Sequence, residues 1–256
     1  MVAVLSVVVV VAVIRGLDLF VADKILSTGG DVFSLTKIGF VMDYEAYMKA
    51  MQRPDIRLDD AEYLASHLTL ADAVVPRIDT QLPVRLGRLA SASAPVAGVG
   101  AGYPLLADLP LTAGRHLEEA DVRVHASVAV IGDGIREKLF PNVDPLGRSL
   151  RIGRRNYQVV GVIAKRGGGL GASRDDRCFV PITTLRHEIG TRGSVEIDVR
   201  ARDHALLEDA KEEATLMLKI RRGCQPWEKP DFDLTTDEQI YKLYENASRG
   251  IYGLLV

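Results

Sequence analysis

The stretch from Val128 to Ile163, VAVIGDGIREKLFPNVDPLGRSLRIGRRNYQVVGVI, carries the most informative pattern of the chain. It opens on a short apolar run that is typical of a buried strand, and Gly132 then precedes a segment that we predict to be helical through Leu139. Two strands with a glycine turn between them follow. The predicted elements of this stretch are a strand at 127–131, a helix at 133–139, strands at 149–152 and 157–163, and a turn at Gly153.

Outward from this stretch, strands and helices alternate irregularly, with hairpins rather than repeated crossovers. The fold class is therefore α+β, and we expect two mixed α/β subdomains. Strands are predicted at 32–41, 73–86, 92–99 and 194–200, and helices at 59–67 and 203–222. Asp59 and Glu62 are expected to cap the first of these helices. In the strand at 194–200 apolar and charged residues alternate, which predicts one buried and one solvated face.

Composition narrows the class of protein. The 256 residues are 47% hydrophobic and 26% charged, with 32 basic and 34 acidic side chains, so the chain lacks the signature of a disordered protein. The formal net charge of -2 also argues against a protein that binds nucleic acid, because such a protein would require a basic face. Two cysteines are too few for a disulfide scaffold or a four-cysteine zinc site.

Two glycine-rich segments imitate nucleotide-binding loops. Gly132 and Gly134 open a helix after a strand, but Glu137 stands where a dinucleotide fingerprint needs its third glycine, and its carboxylate would repel a pyrophosphate. The loop at 167–171 lacks the Gly-Lys-Ser/Thr sequence of a phosphate-binding loop and is interpreted as a flexible or contact-making segment. We therefore predict no cofactor.

No other pattern predicts catalysis. The histidines show no i, i+4 pair that would place two imidazoles on one helix face, so no metal site is predicted. Cys178 and Cys224 are interpreted as free thiols, with pairing outside the cytoplasm as the alternative. Asp175 and Asp176 lie between arginines and suggest a solvated surface cluster. We predict no catalytic residue and no enzymatic activity.

The first residues form a local exception to the average composition. Residues 1–14, MVAVLSVVVVVAVI, carry no charge and one polar side chain. As a helix they would span about 21 Å, which is shorter than a bilayer core of about 30 Å. A signal peptide would need a basic start and a small-residue cleavage site, and a buried strand would be shorter than this run. The favoured interpretation is the later part of a transmembrane helix, with a signal-like segment and a core strand as alternatives.

The last residues support that interpretation. After a polar stretch, residues 250–256, GIYGLLV, are again apolar. The two ends together predict a polar domain at 15–249 between two truncated membrane helices. Residues 1–14 would be the later part of the first helix, and residues 250–256 the start of the second.

Within 128–163 the residues resemble the MacB-type extracytoplasmic core domain of ABC transporter permeases. In that family a strand ending in Ile-Gly leads into a helix ending in Leu-Phe, then Asp-Pro-Leu-Gly, then two strands of which the second closes on Val-x-Gly-Val. Segments 111–115 and 181–183 also resemble the corresponding segments of that family. The matching residues that we expect to have structural roles are Gly132, Leu139, Phe140, Asp144, Pro145, Leu146, Gly147, Gly161 and Pro181.

The resemblance implies a function and a location. It implies a permease subunit of an ABC transporter for export or lipoprotein handling, in the inner (plasma) membrane with its main domain periplasmic. Its implied partners are a cytoplasmic ATPase, a second permease chain, membrane lipid, and a periplasmic adaptor or lipoprotein. A membrane-anchored or secreted binding domain without an ATPase is the alternative, and a nucleotide-dependent enzyme built on the Gly132 turn is a third hypothesis.

Overall fold

The computed structural model describes residues 30–41, 43–87, 89–165, 174–190, 193–225 and 227–236. The interpretations of 1–14, 250–256 and the glycine-rich loop 167–171 fall outside these residues. No helix within the described ranges is both long enough and apolar enough to cross a bilayer.

The described residues form ten strands and seven α-helices. The strands are β1 (Val32–Thr36), β2 (Ala71–Leu86), β3 (Leu89–Val99), β4 (Leu111–Gly114), β5 (Val128–Gly132), β6 (Ser149–Ile152), β7 (Arg155–Ile163), β8 (Cys178–Pro181), β9 (Glu196–Ala201) and β10 (Asp233–Thr236). The helices are α1 (Tyr44–Met51), α2 (Leu58–His67), α3 (Tyr103–Leu106), α4 (Glu119–Arg123), α5 (Asp133–Leu139), α6 (Ile182–Ile189) and α7 (Leu207–Arg222).

All ten strands belong to one sheet, in the order β10-β1-β9-β2-β3-β8-β5-β7-β4. Strand β6 pairs with both β2 and β7, so β2, β3, β8, β5, β7 and β6 close into a ring. The β3–β8 and β5–β7 pairs are parallel and the other pairs are antiparallel. This mixture of hairpins and separate helices is the α+β arrangement expected from the sequence.

Three clusters of buried apolar side chains lie along the sheet, and the two larger ones mark its two halves. The ring half encloses the core that contains Ile131, Tyr157 and Phe140. In the other half, helices α2 and α7 cover β1 and β9 and bury a core that contains Leu64, Ile197 and Leu218. The two halves correspond to the expected subdomains, and the long hairpin β2–β3 runs through their junction.

Both terminal strands of the domain lie side by side. Phe33 near the start of β1 pairs with Thr236 at the end of β10. The described domain therefore begins and ends at the same end of the sheet. Strand β2 starts beside Ala201 near that end and runs away from it for 16 residues, or about 50 Å at ~3.3 Å per residue.

Several predicted boundaries need correction. The predicted strand at 32–41 ends at Thr36, since the chain then turns and the Gly39 amide donates to the Asp233 carboxylate at 2.8 Å. Helix α2 begins one residue earlier than predicted, and it is Asp60, not Asp59 or Glu62, whose carboxylate accepts from the amide of Arg57 at 2.9 Å. The long helix predicted at 203–222 opens with a 3₁₀ turn at His204–Leu206 before α7.

Two expectations about exposed charges are wrong. Asp198 on β9 was expected on a solvated face but is buried, because it pairs with a largely buried arginine of the neighbouring strand. Asp175 is buried as well, since the turn that carries it packs against the start of α5. The turn predicted at Gly153 agrees with the structure, where Gly153 has a φ of 59°, and Gly87, directly after β2, has a φ of 57°.

Candidate functional site

The glycine turn between β5 and α5 is filled by the chain itself. A Cβ atom on Gly132 would lie 2.3 Å from the carbonyl oxygen of Asp175, and one on Gly134 would lie 2.4 Å from Asp176 Oδ1. The Gly132 amide also donates to the Arg177 carbonyl at 2.9 Å. The two glycines thus allow the turn at Arg174–Asp176 to pack where a pyrophosphate would bind in a dinucleotide site.

The Leu-Phe pair is buried in the ring core. Leu139 ends α5 and Phe140 follows it, and both side chains are at most 2% exposed. The Phe140 amide still donates to the Arg136 carbonyl at 2.8 Å, so the helix delivers the aromatic ring directly into the core beside Tyr157. These two side chains connect the helix to the ring of strands.

The Asp-Pro-Leu-Gly segment forms a tight turn before β6. An Asp144 carboxylate oxygen accepts from the Leu146 amide at 3.0 Å, which is the local bond that favours aspartate in turns. The Arg148 amide donates to the Pro145 carbonyl at 3.1 Å, and Gly147 has a φ of 73°. Leu146 packs against the ring core, so the turn anchors the β6–β7 hairpin.

Gly161 on β7 pairs with Gly114, the last residue of β4. A Cβ atom on Gly161 would lie 2.3 Å from the backbone oxygen of Arg115. Pro181 ends β8 beside Val99 of β3 and leads into α6. The structure thus gathers Gly132, Leu139, Phe140, Gly161 and the 144–147 turn in the ring half, and Pro181 ends one of the ring strands where α6 begins.

We expect Gly161→Ala to destabilise the domain by about 1–3 kcal/mol, because the added methyl group forces the backbone of Arg115, directly after β4, away from β7. Urea unfolding followed by circular dichroism measures the loss. Asn156→Ala, at an exposed position of the same strand, is the control and should change stability by less than about 0.5 kcal/mol. Equal unfolding curves for the two variants would show that the close approach is unimportant.

Arg115 also holds the turn that precedes α4. Its guanidinium contacts the Asp121 carboxylate at 2.6 Å, and the same carboxylate accepts from the Glu118 amide at 2.9 Å. The hydrogen bond from Arg115 lowers the pKa of Asp121 below its ordinary value, against the opposing effect of burial. Because the folded pKa is lowered, this stabilisation exists above the pKa of the unfolded chain and is lost as the pH falls through the folded pKa.

We therefore expect Asp121→Asn to be less stable than the parent at pH 7 and equal to it in acid. The difference at pH 7 is about 1 kcal/mol or less, since Arg115 is partly exposed. It should shrink below about pH 4. Unfolding in urea between pH 7 and pH 3 measures it, with the exposed Asp59→Asn as control. A difference that stays constant with pH would contradict the assignment.

The most highly charged contact of the described residues lies where the two halves of the sheet meet. Arg77 on β2 donates from Nε to the Asp198 carboxylate at 2.7 Å and from its two terminal nitrogens to Asp79 and Glu196. Ser34 on β1 donates to the other oxygen of Asp198 at 2.6 Å. These five residues, Ser34, Arg77, Asp79, Glu196 and Asp198, are called the Arg77 cluster below.

Burial governs the electrostatics of the Arg77 cluster. Desolvation by itself would lower the pKa of Arg77. The negative charges of Asp198 and Glu196 raise this pKa by more than desolvation lowers it, so the guanidinium stays protonated. Desolvation raises the pKa of Glu196 and that of the neighbouring Tyr103. One largely buried cation is thus shared by three carboxylates, in surroundings where an unpaired charge is costly.

The Arg77 cluster connects strands that belong to both halves. Ser34, Asp198 and Arg77 bridge β1, β9 and β2. Arg177 lies directly before β8, and one of its terminal nitrogens is 3.5 Å from a carboxylate oxygen of Asp79. A second arginine, next to a ring strand, therefore contacts the cluster. The cluster is therefore an ionic junction between the halves, made of side chains with no activated nucleophile among them.

Sequence reasoning did not find this junction. The signal was present, since Arg77 and Asp79 alternate with apolar residues on one strand and Glu196 and Asp198 do so on another. Alternation alone predicts a solvated face, and only the pairing of Arg77 with Glu196 in the register of β2 and β9 brings the opposite charges together.

Metal-ligating and thiol groups are scattered over the described part of the chain. In that part no group of three His, Cys, Asp or Glu side chains is arranged to hold a metal ion. Both cysteines are free; Cys178 is buried and desolvation raises its pKa to about 12, so it remains a thiol. His125 and His187 make an edge-to-face ring contact, with centroids 5.0 Å apart, at exposed positions.

Comparison with known families decides what the fold is. The family model described as the MacB-like periplasmic core domain matches residues 1–216. The chain belongs to this family. Within the MacB-like domain, the glycine turn, the Leu-Phe pair and the Asp-Pro-Leu-Gly turn are the segments that carry the resemblance noted in the sequence.

Relatives of the MacB-like domain include two proteins named macrolide export ATP-binding/permease protein MacB. The protein of Neisseria meningitidis serogroup A is 30% identical over 202 residues, which are 78% of this chain and 30% of that protein. The MacB 2 protein of Yersinia pestis bv. Antiqua is 31% identical over 184 residues, 71% of this chain and 26% of its own length. The chain thus spans less than a third of the length of these relatives.

Solved structures show the same fold. The periplasmic region of MacB from Actinobacillus actinomycetemcomitans aligns with a TM-score of 0.70 and 23% identity, over 88% of this chain and 98% of that one. The extracellular domain of the noncanonic ABC-type transporter YknZ from Gram-positive bacteria aligns with a TM-score of 0.63 and 18% identity, over 80% of this chain and all of that one. At these identities the likeness concerns the fold of the MacB-like domain.

Proposed function

We propose that the chain is part of a permease subunit of an ABC transporter, for export or lipoprotein handling, in the inner membrane. In this proposal a separate cytoplasmic ATPase drives the permease. The MacB-like domain lies in the periplasm and passes the resulting motion to cargo or to an adaptor. The domain itself makes and breaks no covalent bond.

The observation that carries the proposal is the shared end of β1 and β10. Since Phe33 pairs with Thr236, the domain is entered and left at one end of the sheet. The sequence is apolar at 1–14 and again at 250–256, beyond these two strands. A domain attached through both ends at one side can be moved as a body by two membrane helices.

The remaining structure suits the transmission of movement. Strand β2 runs about 50 Å away from the attached end. At the level of Arg77 it is tied to β9 by largely buried ionic bonds, and β9 is tied to β1 through Ser34. Motion coupled over such a distance requires rigid elements that shift between discrete arrangements, and the junction provides the stiffness.

Purification of the tagged chain from membranes tests the proposal. We expect the chain to remain in the membrane fraction after a high-salt wash and to co-purify in mild detergent with an ATP-hydrolysing protein. A soluble mature protein, cleaved near Ile14 and free of ATPase activity, would overturn the proposal in favour of a secreted binding domain. A chain that stays in the membrane without any ATPase would overturn it in favour of an anchored binding domain.

A further inference from the structure

Two histidine rings from separate elements lie side by side on the ring half. His125 follows α4 in the loop that leads to β5, and His187 lies in the last turn of α6. Their ring centres are 5.0 Å apart, and the ring planes are nearly perpendicular. Both residues are exposed, so a solute can reach them. They are called the histidine pair below.

The loop that carries His125 is held against α6 by two hydroxyl groups. The Thr183 hydroxyl donates to the Val122 carbonyl at 2.6 Å, and the Thr184 hydroxyl donates to the Ala126 carbonyl at 2.9 Å. The second histidine of the pair lies one turn later on α6, three and four residues after these threonines, and so on the same side of the helix. The main chain thus fixes both histidines close together.

The backbone of His125 has an unusual conformation. Its φ is 53°, in the left-handed region that residues other than glycine rarely enter. Such a conformation persists only where the surrounding structure holds it, and it is often found at sites with a function. Here the two threonine bonds supply the restraint, and the turn brings the imidazole ring against α6.

The nitrogens of the histidine pair are available to a ligand. Within the described part of the chain, neither ring has a hydrogen-bond partner. Two other exposed histidines differ in this respect. The Nδ1 atom of His67 lies 2.8 Å from the Tyr63 carbonyl oxygen, and that of His204 lies 2.9 Å from an Asp31 carboxylate oxygen. Imidazole nitrogens are preferred ligands of zinc and of neighbouring transition metals.

The separation of the two rings fits a shared metal ion. Zinc lies about 2.0–2.1 Å from each imidazole nitrogen, and a tetrahedral angle then places the two ring centres about 5 Å apart. The observed 5.0 Å agrees with this distance, so rotation of the two exposed side chains is enough to direct one nitrogen of each ring at a common point. The backbone does not have to move.

We infer that the histidine pair binds one Zn²⁺ ion. Two imidazole nitrogens are the protein ligands, and water completes the shell, because no third His, Cys, Asp or Glu of the described residues joins the pair. The carboxylate of Glu188, next to His187 in the chain, already accepts from the Tyr157 hydroxyl at 3.1 Å. The ion links the loop before β5 to α6, which follows β8, and these two strands pair in the sheet. It therefore stabilises the ring half, whether or not the proposed permease function holds.

Calorimetric titration with Zn²⁺ alone tests the inference. The full chain is purified in mild detergent without a histidine tag, and Cys224 is replaced by serine to remove a competing ligand. We expect one ion per chain. His125→Asn and His187→Gln should each weaken binding at least ten-fold; asparagine is chosen because it tolerates a positive φ. The matched control, His67→Gln, also replaces an exposed histidine and should leave binding unchanged.

The double variant separates one shared ion from two independent ones. Combining His125→Asn with His187→Gln should weaken binding no further than either change alone, since each change already removes the shared site. Losses that add up, or zinc binding that neither change weakens, would overturn the inference.

Hydrogen exchange of the unchanged chain provides a measurement that needs no variant. Zn²⁺ should slow exchange at residues 124–127 and 183–187 and leave α7 unaffected. Absence of zinc binding in the titration, or exchange at these residues that zinc does not slow, would each show that the histidine pair is a surface contact only.

Discussion

Replacing Arg77 by methionine is expected to destabilise the domain by about 3–5 kcal/mol. Methionine keeps much of the length of the side chain but removes the cation that three carboxylates share. Asp198 is buried, so its carboxylate cannot gain enough water to replace the guanidinium, whereas the partly exposed Glu196 adds less to the loss. Breaking a buried ion pair from one side costs this much because it leaves an uncompensated buried charge.

Two further variants separate the charge from the packing. Arg77→Met combined with Glu196→Gln and Asp198→Asn should recover part of the loss, since fewer charges then remain unpaired at the junction. Arg85→Met, at an exposed position of the same strand, should change stability by less than about 0.5 kcal/mol. Urea unfolding followed by circular dichroism measures all of these variants at pH 7.

The pH dependence of Arg77→Met gives an independent check. Burial already raises the folded-state pKa of Glu196, and the charge of Arg77 opposes that effect, so removing the arginine raises this pKa further. The destabilisation should therefore be largest at neutral pH and should diminish in acid, as the Glu196 carboxyl group becomes protonated. A loss as small as that of Arg85→Met, or one that grows in acid, would show that the Arg77 cluster is not an ionic junction.

Local sequence patterns predicted most elements of the ring half. The β6–β7 hairpin has a single glycine at its turn, and β5 is a short apolar run followed by glycine, so propensity and burial agree at each position. The same holds for α7, whose basic last turn and Gly223, with a φ of 68°, mark its end. These features depend on neighbours in the chain and can be predicted from them.

Features that depend on distant partners were missed. Strand β1 ends at Thr36 because Asp233, almost 200 residues later, binds the Gly39 amide, and no local pattern contains that contact. Asp198 has the same alternation as a solvated strand, and its burial follows from the register with β2. Residues 44–51 form a helix whose large apolar side chains face solvent rather than a core, and the sequence pattern predicted no helix there.

The function depends on both kinds of feature. The family resemblance is carried by locally determined turns, such as Asp144–Gly147, whose role is to build the ring half. The Arg77 cluster and the exposed apolar side chains of α1 lie outside these turns. Family membership therefore identifies the scaffold, and the partners have to be inferred from the exposed and charged residues.

Replacing Phe140 by alanine should cost about 3–5 kcal/mol of folding stability. The side chain is 1% exposed and packs in the ring core with Leu139 and Tyr157. A Phe→Ala change removes the transfer free energy of the ring and leaves a cavity that a closed ring of strands cannot fill by collapsing. Urea unfolding of the two proteins measures the difference.

Two matched variants show whether burial is the cause. Phe140→Leu keeps most of the apolar volume and should lose less than about 1.5 kcal/mol. Val143→Ala lies in the same loop, on a side chain that is 42% exposed, and should lose less than about 0.5 kcal/mol. If Phe140→Ala and Val143→Ala had similar effects, burial of the Leu-Phe pair would not be what stabilises the ring core. Because the β2–β3 hairpin joins the two cores, native-state hydrogen exchange should also show reduced protection in β9, beyond the ring half, in the Phe140→Ala variant.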